Sequence, residues 1–197
     1  MMGDVRPGVV IVIALTLLAV GFALWPRDSG APPDPCGPTT KRPSAAGIAV
    51  AGQTTLCLLN RERTERGLPA LRENNLLSAA SLEHSRDMVQ VGYFEHTSAD
   101  GRSVSDRLRA VGYSRGISAS AGENIAYGVG GKSTPASIVQ AWMHSPGHRA
   151  DILRPAFTEI GIGIALGAPE VPEDEQGDSA TYTTDFGGVV DPSLPNG

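Results

Sequence analysis

Two histidines, His144 and His148, lie four residues apart in the stretch "HSPGHRADIL" (144–153). Imidazoles at i and i+4 on one helix face are a zinc-binding arrangement. Here Ser145 and Pro146 stand between them. Serine is a preferred N-cap residue, and proline suits the first helical position. The spacing therefore predicts one helix ending at His144 and another opening at Ser145, so the two rings share no face. His148 becomes the third residue of the new helix, near the positive end of its dipole, where an imidazolium is disfavoured. A neutral ring can accept a proton or bind a metal. Ser145 beside His148 has the residue types of a nucleophile and its base. A serine acting as N-cap has its oxygen engaged, however, and the sequence offers no oxyanion hole. Arg149 and Asp151 read as surface or helix-start contacts.

Helices come first in the chain and strands last. "QTTLCLLNRERTERG" (53–67) has Leu56, Cys57 and Leu59 on an apolar face and ends at Gly67. "ENNLLSAASLEHSRDMVQVG" (73–92) places Leu77, Ala80, His84, Met88 and Val91 together, with Gly92 as its stop. His84, on that apolar face, reads as a core histidine with its polar atoms satisfied. "SVSDRLRAVG" (103–112) is a short third helix, and "TPASIVQAWM" (134–143) a fourth, opened by Thr134 and Pro135. "ENIAYG" (123–128) reads as a short strand or an ordered loop. "TEIGIGIAL" (158–166) and "TYTTDFGG" (181–188) read as strands from their β-branched content and alternation. The acidic stretch between them, with Glu170, Glu173, Asp174, Glu175 and Asp178, lacks the spacing of a calcium loop and reads as a solvated hairpin tip. This order without regular βαβ alternation predicts an α+β fold.

The formal net charge of −5 and the pI of about 5.3 provide no basic stripe for nucleic acid. "VVIVIALTLLAVGFALW" (9–25) is an uncharged apolar run between Arg6 and Arg27, the pattern of a signal-anchor or signal peptide over residues 1–25. Six prolines across residues 26–47 predict an extended linker. The domain is expected over 48–190, with 191–197 as a tail. In an exported chain the two cysteines, Cys36 and Cys57, predict one disulfide joining linker to domain.

Several phrases then line up in order: "NRERTERGLPAL", "AASLEHSRDM", "GYFEHTSADGRS", "DRLRAVGY", "AGENIA", "AWMHSPGHRADIL", "FTEIGIG" and "YTTDFG". This succession, over residues 55–188, resembles the bacterial branch of the CAP superfamily. That superfamily takes in cysteine-rich secretory, antigen 5 and pathogenesis-related 1 proteins. The resemblance implies an α-β-α sandwich and a secreted or surface-tethered protein. It also implies a cleft lined by two histidines and usually two glutamates. Carried over by motif, these are His96 of "YFEHT", Glu123 of "GEN" and His148 of "PGHR". The remaining glutamate of many eukaryotic relatives, three residues after the helix tryptophan (here Trp142), falls on Ser145. Thr184 stands where many bacterial relatives show glutamine.

Three readings follow from that cluster. The first is a non-enzymatic module binding an envelope ligand (lipid, glycan or protein), tethered to the membrane by the N-terminal segment. The second is a metal-assisted hydrolase, with His96 and His148 as tentative Zn²⁺ ligands, Glu123 beside them and an open water position. In the third the cluster only braces the fold, with Glu123 a buried carboxylate bonded to backbone amides and fixing the loop around Asn124.

Overall fold

The computed structural model describes residues 34–113 and 119–189. The apolar run at 9–25 and the tail at 191–197 lie outside the described residues. Among the described residues no helix is long and apolar enough to cross a membrane.

Strand β3 (Glu159–Leu166) shows how the layers are set. Its side chains alternate, so Ile160, Ile162 and Ile164 face one side while Gly161 and Gly163 face the other. Against the glycine side lies α2 (Asn75–Val91), followed by α3 (Val104–Ala110). The approach is too close for any side chain on the strand. A Cβ on Gly161 would sit 2.0 Å from the Leu77 carbonyl carbon, and one on Gly163 would sit 2.1 Å from the Leu82 nitrogen. That proximity brings Ser81 Oγ to 3.3 Å from the Gly161 carbonyl and Ser85 Oγ to 3.0 Å from the Gly163 carbonyl. The isoleucine side packs on α1 (Ile48–Thr64), α4 (Pro135–His144) and α5 (Pro146–Ile152). Leu59, Trp142, Phe157, Tyr182 and Phe186 fill this larger core. The result is the α-β-α sandwich expected.

The sheet has four strands in the order β1-β3-β4-β2. β1 (Arg72–Glu73) runs parallel to β3, and β4 (Ser179–Val189) is antiparallel to both β3 and β2 (Ala119–Val129). β2 is therefore an edge strand. It is longer than "ENIAYG" alone suggests, because it pairs with β4 from Ala119 to Val129. Trp142 Nε1 donates to the Ile125 carbonyl (3.1 Å) and ties α4 to this strand.

Two long-range ties hold the first helix. Arg63 is buried and pairs with no carboxylate among the described residues. Its guanidinium donates instead to the carbonyls of Pro69 (2.9 Å), Ile152 (2.7 Å), Arg154 (3.1 Å) and Phe157 (3.0 Å). The second tie is the expected disulfide between Cys36 and Cys57, with Cα atoms 5.4 Å apart. It draws the proline-rich stretch onto the domain from Asp34 onward. Asp34 pairs with Arg61 at 3.2 Å, and Ala136 N donates to the Thr39 carbonyl at 2.9 Å. This part of the expected linker is thus packed rather than extended. α1 also begins at Ile48, five residues before Gln53, which places Ala51 in the core.

Replacing both cysteines by serine should remove about 3 kcal/mol of stability, since the cross-link closes a loop of roughly twenty residues. Gly163→Ala should cost about 1–3 kcal/mol or more, because the added methyl meets backbone that cannot swing aside. Urea unfolding of each variant against the parent chain checks both.

Candidate functional site

Glu123 projects from edge strand β2 toward the α2–α3 layer, and its side chain is only 1% exposed. Burial of a carboxylate requires a charged or hydrogen-bonded partner. Arg107, on α3 and equally buried, supplies it through Nη2 donating to Glu123 Oε2. Nη1 of the same guanidinium reaches into the loop between α2 and α3. There it donates to the His96 carbonyl (3.0 Å), Ser98 Oγ (3.0 Å) and the Arg102 carbonyl (3.3 Å). One arginine thus holds both the strand that carries Glu123 and the loop that carries His96. A capping box between Ser103 and Asp106 starts α3 and fixes Arg107 in its second turn.

His96 closes the arrangement from the solvent side. Its Nδ1 lies 2.8 Å from Glu123 Oε1, and the side chain is 54% exposed. Glu123 faces Arg107 as a carboxylate and can only accept, so Nδ1 carries the proton and Nε2 is left clear of that bond. That bond to Glu123 holds the His96 imidazole above its ordinary pKa, against an opposing effect of burial. His84 is the buried neighbour on the other side. Its Nε2 donates to the Glu95 carbonyl (3.0 Å) and lies 3.9 Å from Glu123 Oε2. Burial holds the His84 ring below its ordinary pKa. The core reading of His84 stands, and it also borders the site.

His148 arrives from the opposite layer. Asn124, next to Glu123 on β2, points to the other face of the sheet and donates from Nδ2 to the His148 carbonyl at 3.0 Å. His148 is half-buried on α5. Its pKa is lowered first by that burial and then by the charge of His96 nearby. His96 and His148 thus flank β2 from separate layers, near enough for the charge of one to act on the other, and their pKa values shift in opposite directions. The neutrality expected of His148 holds in direction, but burial and His96 account for it.

The remaining candidates divide. His144 ends α4, exposed, with Nδ1 donating to the Gln140 carbonyl at 2.7 Å. Ser145 and Pro146 do separate it from His148. Ser145 stands at the N-cap of α5 but makes no capping hydrogen bond, so its hydroxyl is not engaged as expected. Glu123 is buried as the bracing reading supposed, yet its partners are side chains rather than backbone amides. Thr184 is buried directly opposite Asn124 in the sheet register. Arg107 and Asp185 escaped the sequence reading. Asp185 lies opposite Glu123 across the β2–β4 pairing, fully buried.

The donor set does not fit a three-ligand zinc centre. Catalytic zinc takes three protein ligands and an open position. Glu123 has one oxygen on Arg107 and the other on His96, which leaves two imidazoles. Among the described residues no group of three His, Cys, Asp or Glu side chains is arranged to hold a metal ion.

Glu123→Gln should drop the His96 pKa below its raised value, because the neutral amide no longer stabilises the imidazolium. His96→Ala should raise that of His148 by removing a neighbouring positive charge. Both are read from histidine NMR titrations. Arg107→Met should cost about 3–5 kcal/mol in urea unfolding, since it strands a buried carboxylate.

The family model described as CAP: Cysteine-rich secretory protein family matches residues 56–170. The chain is 39% identical over 125 residues to the uncharacterized protein YkwD of Bacillus subtilis (strain 168), covering 64% of this chain and 46% of that one. It is 37% identical over 111 residues to the uncharacterized membrane protein YlbC of the same organism, covering 55% of this chain and 30% of that one. It thus spans less than half the length of either relative. Among solved structures, an extracellular protein containing a SCP domain from Bacillus anthracis str. Ames superposes with a TM-score of 0.58 at 27% identity, over 74% of this chain and 44% of that one. An outer surface protein from Borrelia burgdorferi gives 0.56 at 18% identity, over 68% of this chain and 90% of that one, and bears on the fold alone. The chain belongs to the cysteine-rich secretory protein family, CAP.

Proposed function

We propose that this CAP domain is a recognition module at the outside of the cell, using the His96–His148 cleft to bind a ligand of the envelope. The observation that carries this reading is that both Glu123 oxygens are taken up, by Arg107 and His96. The carboxylate is thereby a fixed support rather than a base or a metal ligand. It presents His96 as a partly charged donor, beside the more neutral ring of His148. Such a pair suits a ligand group that is anionic or rich in hydrogen-bond acceptors. The extracellular SCP-domain protein of Bacillus anthracis, at 27% identity, supports a location outside the membrane. The apolar run at 9–25 supports a tether there, or a leader removed on export.

The test is titration of the full chain with phospholipid vesicles, peptidoglycan fragments and peptides, each followed at the His96 and His148 imidazole resonances. One class should move both resonances saturably, and His96→Ala or His148→Ala should weaken its binding at least about tenfold. No movement with any class overturns the reading. So does turnover of a titrant that disappears in His96→Ala, which would make the cleft a hydrolase site.

A further inference from the structure

We propose that Asp185 is a positioning residue of the cleft: a hydrogen bond from its carboxyl group to Glu123 fixes the carboxylate that orients His96. Asp185 sits in the middle of β4, the strand flanked on both sides, and is 0% exposed. In register it faces Glu123 on β2 and Gly161 on β3. Oδ2 accepts from Ser81 Oγ at 2.8 Å, and the Asp185 backbone N–H donates to that same hydroxyl at 3.1 Å. Oδ1 is buried without a donor among the described residues. Glu123 is the direct cross-strand neighbour of Asp185 in the β2–β4 register, on the same face of the sheet.

The charges around this pair can be counted element by element. β2 contributes Glu123. α3 contributes Arg107. α2 contributes the neutral Ser81 and His84, whose ring burial keeps uncharged. β3 contributes only the glycine backbone. Among the described residues one buried cation, Arg107, therefore faces two carboxyl groups, with the half-exposed ring of His96 reaching Glu123 from the loop. Two ionised carboxylates facing each other across adjacent strands would repel. A proton on Asp185 removes that repulsion and turns Oδ1 into the donor that Glu123 lacks on this side. Glu123 keeps the charge because Arg107 and His96 contact it directly. Burial, and next the Glu123 charge, lift the Asp185 carboxyl well above the usual carboxylate range, in agreement with that assignment.

Glu123 is then gripped from three elements: Arg107 on α3, Asp185 on β4 and His96 on the loop. Remove the middle grip and the carboxylate can turn away from His96. This role is read on His96 itself, without the cleft's ligand, and so is tested apart from the proposed function.

The experiment is a histidine NMR titration of the full chain as Asp185→Asn and Asp185→Ala. Asparagine keeps a donor toward Glu123 and an acceptor for Ser81, so the His96 pKa should stay at its parent value. Alanine removes both, so that pKa should fall by about one unit while the rest of the spectrum stays folded. A folded Asp185→Ala chain with His96 unmoved overturns the role, as does an Asp185→Asn chain that loses as much as the alanine variant. Should Asp185→Ala not fold, the carboxyl ¹³C resonance of Asp185 in the parent chain at neutral pH decides. The shift of a protonated acid supports the role, and that of a carboxylate overturns it.

Discussion

The buried ion pair between Glu123 and Arg107 is the contact on which the site depends. Its two side chains come from different layers, an edge strand and a short helix, and both are withdrawn from water. Bringing two charges out of water is expensive, and a single attraction seldom compensates. Here the remaining donors of Arg107 are spent on the loop from His96 to Arg102. The desolvated pair therefore does more than hold itself together. It brings a solvent-facing histidine to a fixed place beside a rigid sheet and directs the open nitrogen of that histidine outward.

The same pair constrains what the cleft can do. Each oxygen of Glu123 already accepts from a charged or ring N–H donor, Oε2 from Arg107 and Oε1 from His96. Its charge reaches the cleft only through His96, as a raised basicity, and from there to His148, whose ring is kept the more neutral. The two imidazoles come from layers on opposite faces of the sheet, so their spacing rests on the width of the sandwich. That width is set by how the helices settle on the sheet. Gly161 and Gly163 let α2 settle onto β3, and Arg63 binds the first helix to the segment after α5.

Much of this was legible in the sequence because it is local. Ser145-Pro146 shows that the helix breaks between His144 and His148, and Thr134-Pro135 shows where α4 opens. Alternation in "TEIGIGIAL" gives a strand, though not that its glycines admit a helix backbone. The histidines and glutamate of the cleft emerged only through resemblance, because residues 96, 123 and 148 are joined by topology and not by spacing. Arg107 was masked by its setting: "DRLRAVG" reads as a charged surface helix, and only the capping box that starts it fixes which arginine turns inward. Asp185 was hidden for a related reason. A charged residue in a strand looks solvent-facing until the register places it opposite Glu123 in the centre of the sheet. Ser145 shows the opposite error, since a residue type suited to capping occupies the cap position without making the bond.

The account turns on Glu123 accepting a hydrogen bond from His96 Nδ1. Long-range ¹H–¹⁵N correlation of the imidazole, recorded above the pH at which the ring titrates, reads the tautomer directly. The account predicts that His96 carries its proton on Nδ1, the less common form in free histidine, with Nε2 showing the shift of an unprotonated nitrogen. A ring protonated on Nε2 instead would mean that Glu123 does not orient His96, and the cleft described above would not exist in solution.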